Sequence, residues 1–176
     1  MPKTHKHTRK RRKIRNQTYI RECIAVLNPD NQIPDNHVSG IVEFREKHKN
    51  IVIKYKITGL TDGEHGFHIH RCGDLTKGCS SGCEHFNPDG STHGDLHDDK
   101  SHAGDLGNII SINGLAQGTI ITDKITLRPG IRNIIGRMII VHRDRDDLGR
   151  GGDSESLKTG NAGKRLACGI IGIKNE

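Results

Sequence analysis

The chain has 176 residues, 28 Lys or Arg against 21 Asp or Glu, a formal net charge of +7 and only 3% aromatic residues. This length predicts one domain with a core of aliphatic side chains, and the absence of an apolar run of about 18 residues excludes a membrane-spanning helix. Eight of the basic residues lie in residues 1–15, which contain no acid, so the other 20 nearly balance the 21 acidic residues and exclude a strongly basic folded domain.

Residues 1–18 are predicted to form a basic disordered arm, and residues 19–176 the folded domain. The arm has no apolar periodicity and repels itself, so a solvated tail is the favoured interpretation. Attachment to nucleic acid or another polyanion, or nuclear import through the basic run Arg9–Lys13, is the alternative. No apolar segment of a secretory signal follows the arm, so we expect a cytoplasmic protein, with a nuclear or nucleic-acid-associated location as the alternative.

Short strands are predicted from about Tyr19 onward. The clearest alternation places Ile51, Ile53, Tyr55 and Ile57 on one face of a half-buried strand. Glycine-rich connections separate the other predicted strands, which cover residues 23–27, 38–44, 65–70, 108–112, 118–122, 137–142 and 166–173. Eight short strands with such connections predict an all-β sandwich or flattened barrel.

Two predicted connections, residues 71–106 and 143–165, are too long for ordinary turns. Structureless loops of that length are uncommon in a compact domain unless metal ligands or a crosslink hold them in place. The first contains His85, His93, His102 and Asp105, and the second follows His142. Both loops are therefore predicted to be functional.

Seven of the twelve histidines lie between His65 and residue 105. His68 and His70 flank one residue of an apolar strand, which places both rings on one face and turns Phe67 and Ile69 towards the core. Imidazole and carboxylate are common transition-metal ligands, so the cluster predicts a metal site. Surface histidines, or histidines with satisfied hydrogen bonds in the core, are the structural alternative.

The five cysteines are an odd number, so at least one has no partner within the chain. Reducing compartments normally leave cysteines free, and a disulfide in an intracellular protein needs a specific reason. Cys83, two residues before His85, is interpreted as a partly buried thiol.

Several sequence strings resemble the intracellular copper,zinc superoxide dismutases, over residues 21–173. The strings are residues 59–70, 78–79, 85–88, 102–108, 134–142, 146–152 and 158–169. The resemblance implies an eight-stranded Greek-key β-barrel with two long functional loops. It also implies an oxidoreductase that dismutates superoxide to oxygen and hydrogen peroxide, as an antioxidant defence.

The resemblance implies copper and zinc as cofactors and assigns their ligands. Copper ligands match His68, His70, His85 and His142, and zinc ligands match His85, His93, His102 and Asp105. His85 would therefore bridge the two metals and take part in proton transfer. Asp146 matches the carboxylate that fixes one ligand of each metal, His68 and His93, from outside. His65 looks structural and His97 is expected to face solvent.

The resemblance assigns further roles around copper. Arg165 matches the residue that guides superoxide to the metal. Lys158 and Glu155 match the steering loop, with ordinary solvated loop charges as an equally weighted alternative. Cys79 and Cys168 match the family's intrachain disulfide, the alternative being two free thiols. A copper chaperone is a candidate partner for metal delivery.

The chain departs from the family's pattern at Arg71 and Cys72, which replace an acidic and a bulky aromatic residue near the dimer contact. We still expect a homodimer, with Ile135, Ile170 and Ile173 as apolar contacts, and we hypothesise an interchain disulfide through Cys72. A non-catalytic metal module, similar to the dismutase-like domain of the copper chaperone, and a polyanion-binding protein built around the arm are competing functions. All copper ligands and the guide arginine are present, which favours the enzyme.

Overall fold

A computed structural model describes residues 21–175, and the arm predicted for residues 1–18 lies outside them. The described chain is almost entirely β-structure. Its strands are β1 (Glu22–Pro29), β2 (Ser39–Lys47), β3 (Asn50–Thr58), β4 (Gly63–His70), β5 (Thr76–Cys79), β6 (Asp105–Ile112), β7 (Leu115–Thr122), β8 (Met138–His142), β9 (Arg165–Ile170) and β10 (Gly172–Ile173). A 3₁₀ turn covers Ser80–Gly82, and the single described α-helix, α1, covers Ser156–Thr159. Neither described helix has the length and apolar character of a membrane span.

Eight strands form a closed antiparallel barrel. Neighbouring strands follow the order β1, β2, β3, β7, β6, β4, β8, β9, and β9 pairs back to β1 through Cys168 and Asn28. Strands that are neighbours without being consecutive, such as β3 and β7, require connections that cross the ends of the barrel, as in a Greek key. The predicted Greek-key barrel is confirmed.

The aliphatic core follows the alternation predicted from the sequence. Ile51, Ile53 and Ile57 of β3 are fully buried, while Lys54 and Lys56 between them are exposed. Each such aliphatic side chain contributes roughly 1.5–3 kcal/mol when it leaves water. Because the side chains of a strand alternate between faces, β3 fixes one wall of the barrel and its register with β2 and β7.

The last predicted strand, residues 166–173, is divided in the structure into β9 and β10. Ile171 lies between them with its backbone N–H bonded to the carbonyl of Arg137 and its carbonyl bonded to the N–H of Gly136. The backbone of Ile171 is therefore taken out of the sheet. The division leaves β9 to close the barrel and β10 to pair with the first residues of β1.

Two disulfides hold the first long loop, residues 71–104. Cys79 and Cys168 are joined across 89 residues, as the resemblance implies. The interchain hypothesis for Cys72 and the interpretation of Cys83 as a free thiol are wrong, because these two cysteines are joined to each other with their Cα atoms 5.6 Å apart. Cys23, buried in the barrel, is the free cysteine.

Candidate metal centre

Two strands of the barrel carry three of the predicted ligands. His68 and His70 lie on β4, where a shift of register between Gly66 and His68 marks a bulge against β6. Phe67 and Ile69, on the opposite face, are fully buried in the core, as predicted. His142 is the last residue of β8. A β-bulge turns the following side chains to a new direction, and here it aims the β4 histidines under the two long loops.

The first loop returns to β4 through backbone pairing. His85 forms an isolated antiparallel bridge with His70. Ile69 donates its N–H to the carbonyl of Gly104 at 2.9 Å, and its own carbonyl accepts the N–H of Phe86 at 2.8 Å. These bonds place a loop histidine beside a strand histidine, although 15 residues separate them in sequence.

Three groups of ligand-type side chains meet in the region covered by the loops. In each group one donor atom from every residue lies within 4.8 Å of the others. All of these residues are buried, and the groups are His68, His70, His85 and His142; His85, His93, His102 and Asp105; and His68, His93 and Asp146. The structure thus brings together every predicted ligand, and His85 belongs to both four-residue groups.

The second group is arranged around one oxygen of Asp105. Its Oδ1 lies 2.9 Å from Nδ1 of His85, 3.0 Å from Nδ1 of His93 and 3.1 Å from Nδ1 of His102. His85 and His102 have hydrogen-bond geometry to this oxygen, whereas His93 does not. Three imidazole nitrogens and a carboxylate facing a common point are the donor set of a closed tetrahedral zinc site.

Three buried ring nitrogens have no hydrogen-bond partner among the described residues. They are Nδ1 of His68, Nε2 of His85 and Nδ1 of His93. A buried polar atom without a partner costs about 1–3 kcal/mol, and most such atoms in proteins are paired. Because each nitrogen points into a group of other donors, the residues fit bound metal ions, which would accept these lone pairs.

Asp146 lies outside both four-residue groups and contacts one histidine of each. Its Oδ2 accepts a hydrogen bond from Nε2 of His68 and its Oδ1 one from Nε2 of His93, both at 2.7 Å. Asn108 of β6 holds the Asp146 backbone by two hydrogen bonds, at 2.8 and 2.9 Å. No role was predicted for Asn108 from the sequence, although its position in the 102–108 string was a signal for one. The arrangement fixes each histidine as donor at Nε2 and leaves Nδ1 for a ligand.

A glycine permits the contact between Asp146 and His93. Gly160 ends α1 with a positive φ of 63°, and a Cβ atom there would overlap both the Asp146 carboxylate and the His93 ring. A side chain at position 160 would therefore push the second loop away from the centre.

Burial and neighbouring charges give the buried histidines different pKa values. Burial lowers the pKa of His85 to about 3, and burial likewise holds the pKa values of His70 and His142 well below the usual value. Burial also opposes protonation of His93, but the carboxylates of Asp105 and Asp146 outweigh it and raise the pKa of His93 to about 9. Three rings are therefore neutral at physiological pH and available as ligands.

An open cavity of about 700 Å³ leads to one side of the centre. It is lined by His70, His85, His142 and Arg165, and also by Glu84, Glu155 and Lys158. Glu155 and Lys158 pair with each other at 3.1 Å. The cavity therefore reaches the four-histidine group and passes charged side chains of both loops.

Arg165, at the start of β9, is anchored in this cavity by three backbone carbonyls. Its Nη1 donates to Cys79 at 2.8 Å and Ser80 at 3.1 Å, and its Nη2 donates to Cys83 at 2.5 Å. A guanidinium carries five N–H donors, so donors remain for an anion. Its position is thus set by the first loop.

Two of the seven histidines in residues 65–105 are not assigned as ligands, and both lie as expected. His65 is buried in β4, with Nδ1 3.0 Å from the carbonyl of His142 and Nε2 2.9 Å from that of Thr61. His97 is exposed. Neither belongs to a ligand group within residues 21–175.

The fold and the site together define an all-β barrel metalloprotein with two adjacent candidate metal sites that share one histidine. The family described as copper/zinc superoxide dismutase (SODC) matches residues 38–171. The chain belongs to this family. Its members are oxidoreductases that dismutate superoxide with copper and zinc as cofactors.

Individual relatives agree with this membership. Superoxide dismutase [Cu-Zn] A of Xenopus laevis is 53% identical over 137 residues, covering 77% of this chain and 90% of that protein. Superoxide dismutase [Cu-Zn] of Paramecium bursaria Chlorella virus 1 is 52% identical over 156 residues, covering 88% and 79%. The crystal structure of the clock protein EA4 superposes with a TM-score of 0.83 at 39% identity, covering 90% of this chain and 98% of that one.

Proposed function

We propose that the two four-residue groups divide the family's two metals between them. His68, His70, His85 and His142 hold copper, because four imidazole nitrogens suit the tetragonal geometry of Cu(II). The second group, which shares His85 and adds His93, His102 and Asp105, holds zinc. The observation that carries this proposal is His85: its Nδ1 faces Asp105, while its buried Nε2 has no hydrogen-bond partner within residues 21–175.

The reaction consumes two superoxide anions and two protons and yields one oxygen and one hydrogen peroxide. When bound, copper supplies the one-electron couple and zinc a fixed positive charge. Arg165 holds the incoming anion through its remaining N–H donors, and its charge raises the capture rate. Superoxide dismutase is a standard example of a diffusion-limited enzyme.

Proton delivery is proposed for Nε2 of His85. This nitrogen has no hydrogen-bond partner in the part of the chain that the structure describes, and its ring lines the cavity proposed to admit the substrate. A ring nitrogen with a free lone pair beside the cavity can take up a proton and pass it to a reduced oxygen species held there. Asp146 keeps the neighbouring His68 ring in place during the cycle.

Glu155 and Lys158 are proposed to steer the anion towards Arg165. Both line the cavity, and both are more than half exposed at the side chain. Long-range attraction of this kind falls as salt rises, because the Debye length shortens from about 30 Å at 0.01 M to about 10 Å at 0.1 M ionic strength. These two charges are opposite and lie 3.1 Å apart, so their fields partly cancel at a distance.

We propose a homodimer as the assembly. Ile170 and Ile173 are exposed apolar residues on the β9 and β10 side, and the half-buried Ile135 packs against the core. Exposed aliphatic residues of this kind favour an interface with a second copy. Sedimentation of the full chain at micromolar concentration checks this, and a monomer mass would contradict it.

Two partners are proposed, a copper chaperone that delivers copper and a polyanion that binds the arm. A copper chaperone is the proposed source of copper, and loading of purified protein by a copper(I) thiol complex at the same rate without one would contradict this. The arm, outside the described residues, is proposed to bind nucleic acid or another polyanion.

The proposed location of the protein is cytoplasmic, with the nucleus as the alternative through Arg9–Lys13.

One experiment tests the function and the arm together. The full chain and a chain lacking residues 1–15 are loaded with both metals, and metal content, superoxide dismutation and binding to heparin or DNA are measured. We expect equal dismutation, with salt-sensitive polyanion binding only in the full chain. Loss of dismutation on removing the arm, or no dismutation by either metal-loaded chain, would contradict the proposal.

A further inference from the structure

The second disulfide joins two segments that carry proposed copper ligands. Cys72 follows His70 by two residues, and Cys83 precedes His85 by two. Between them, Arg71 donates its N–H to the carbonyl of Glu84 at 2.9 Å, and its side chain pairs with the Glu84 carboxylate at 2.7 Å. We call residues 70–72 and 82–85, with the Cys72–Cys83 bond, the clasp.

The clasp holds Cys83 in an unusual backbone conformation. Its φ is 65° and its ψ −151°, a region occupied almost only by glycine. A non-glycine residue persists there only when surrounding contacts determine its conformation. The disulfide provides a covalent contact of this kind at the residue itself.

The conformation of Cys83 sets the direction of its carbonyl, which is a hydrogen-bond acceptor in the site. It accepts a hydrogen bond from Nδ1 of His70 at 3.0 Å and another from Nη2 of Arg165 at 2.5 Å. Because a carbonyl can only accept, the His70 proton must reside on Nδ1, and Nε2 presents its lone pair to the four-histidine group. One peptide oxygen therefore orients both a proposed copper ligand and the proposed anion guide.

We propose that the Cys72–Cys83 disulfide is a positioning element of the copper side of the site. It acts through the Cys83 carbonyl, and it does not touch substrate or metal. The inference rests on the proposed copper assignment. Without the bond, the Cys83 peptide relaxes towards an ordinary conformation, so the His70 ring and the Arg165 guanidinium lose their shared acceptor together.

A matched pair of variants separates the bond from the backbone conformation. Cys72→Ala/Cys83→Ala removes the disulfide and leaves a side chain at positive φ, whereas Cys72→Ala/Cys83→Gly removes it and supplies the residue that accepts this conformation. The two proteins differ by one methyl group. If the bond serves to hold the Cys83 carbonyl, the His70 ring and the Arg165 guanidinium should be displaced in the Ala/Ala protein and not in the Ala/Gly protein.

Two properties of the metal-loaded full chain are measured: the EPR spectrum of Cu(II) and the affinity for azide. Azide is a small anion that binds both Cu(II) and a guanidinium. We expect the Ala/Ala protein to bind azide roughly two- to tenfold more weakly, the range for losing one hydrogen bond, with an altered EPR spectrum. The Ala/Gly protein should match wild type in both. Zinc content should be equal in all three, because no clasp residue except the shared His85 belongs to the zinc group.

Peptide mapping of the wild-type protein comes first, and free thiols at both Cys72 and Cys83 would overturn the proposal. Wild-type azide affinity and EPR spectrum in the Ala/Ala protein, or equal weakening in both variants, would also overturn it. The Ala/Ala protein could fail to fold while the Ala/Gly protein folds. In that case a wild-type EPR spectrum and azide affinity in the Ala/Gly protein would support the proposal, and a changed spectrum or affinity would contradict it. Absence of bound copper in wild type would instead contradict the proposed function.

Discussion

His85 is the residue on which the proposed chemistry depends. Its two ring nitrogens face different donor groups, and its backbone pairs with His70. The sequence assigned it this position only through the resemblance, because a histidine in a long loop has no periodicity to place it. The structure supplies the physical reason for its position in the return of the loop to β4.

Asp146→Asn should weaken metal binding without unfolding the barrel. An amide group offers one acceptor oxygen, so it cannot accept from both His68 and His93 as the carboxylate does at 2.7 Å each. Loss of such a supporting contact lowers metal affinity about 10- to 100-fold, which competition with a chelator measures. Asp144→Asn, which changes a partly exposed acid that pairs with Arg143 in the same loop, is the control. Equal affinities for the two variants would disprove the role of Asp146.

Arg165→Ala should lower dismutation several-fold while both metals stay bound. The guanidinium lines the cavity, and among the described residues its hydrogen bonds go to backbone carbonyls, so its removal takes away charge and donors without removing a ligand. Initial rates at 10 mM and 200 mM ionic strength, with metal analysis, check this. The deficit should shrink at high salt, since screening weakens the steering of the wild type. Unchanged activity at low salt would refute the guide role.

At the scale of elements, the strands were predictable and the course of the loops was not. Alternation identified β3, and the spacing of His68 and His70 identified the ligand-bearing face of β4, because both signals are local. The Cys72–Cys83 bond and the support of Asp146 by Asn108 depend on pairing between distant segments. Cysteines in a long loop allow several connectivities, and composition does not choose among them.

Cys79→Ser/Cys168→Ser should destabilise the metal-free protein. The native bond fastens the first loop to β9 across 89 residues, for which the chain-entropy model gives about 4.6 kcal/mol as an upper value, and measured losses are typically 2–5 kcal/mol. Urea unfolding of the metal-free proteins measures the difference. Cys23→Ala, which removes a buried free thiol, is the control. Equal midpoints for the double variant and wild type would contradict a stabilising role.

At the scale of the whole molecule, a nearly neutral barrel joins a basic arm. The barrel buries a large set of ionisable groups in one place, namely the six histidines and two carboxylates of the three ligand groups. Bound metal ions offset the cost of that burial, so the molecule without metals should be sensitive to acid.

The stability of the metal-free protein should fall on acidification from pH 6.5 to pH 4.5. The pKa values of His70, His85 and His142 are depressed in the folded state, that of His85 to about 3, against an ordinary value of 6.5. In this window the unfolded chain takes up protons and the folded chain does not, so each ring costs up to about 1.4 kcal/mol per pH unit. Urea unfolding at the two pH values measures the change, and equal stability would contradict these shifts.

The central claim is that one imidazole serves two different ions. Anomalous diffraction from crystals of the copper- and zinc-loaded protein, collected at both metal edges, tests it directly. We predict a copper peak among His68, His70, His85 and His142 and a zinc peak among His85, His93, His102 and Asp105, with His85 in contact with both. Two peaks too far apart to share that ring, or no copper peak beside it, would contradict the account.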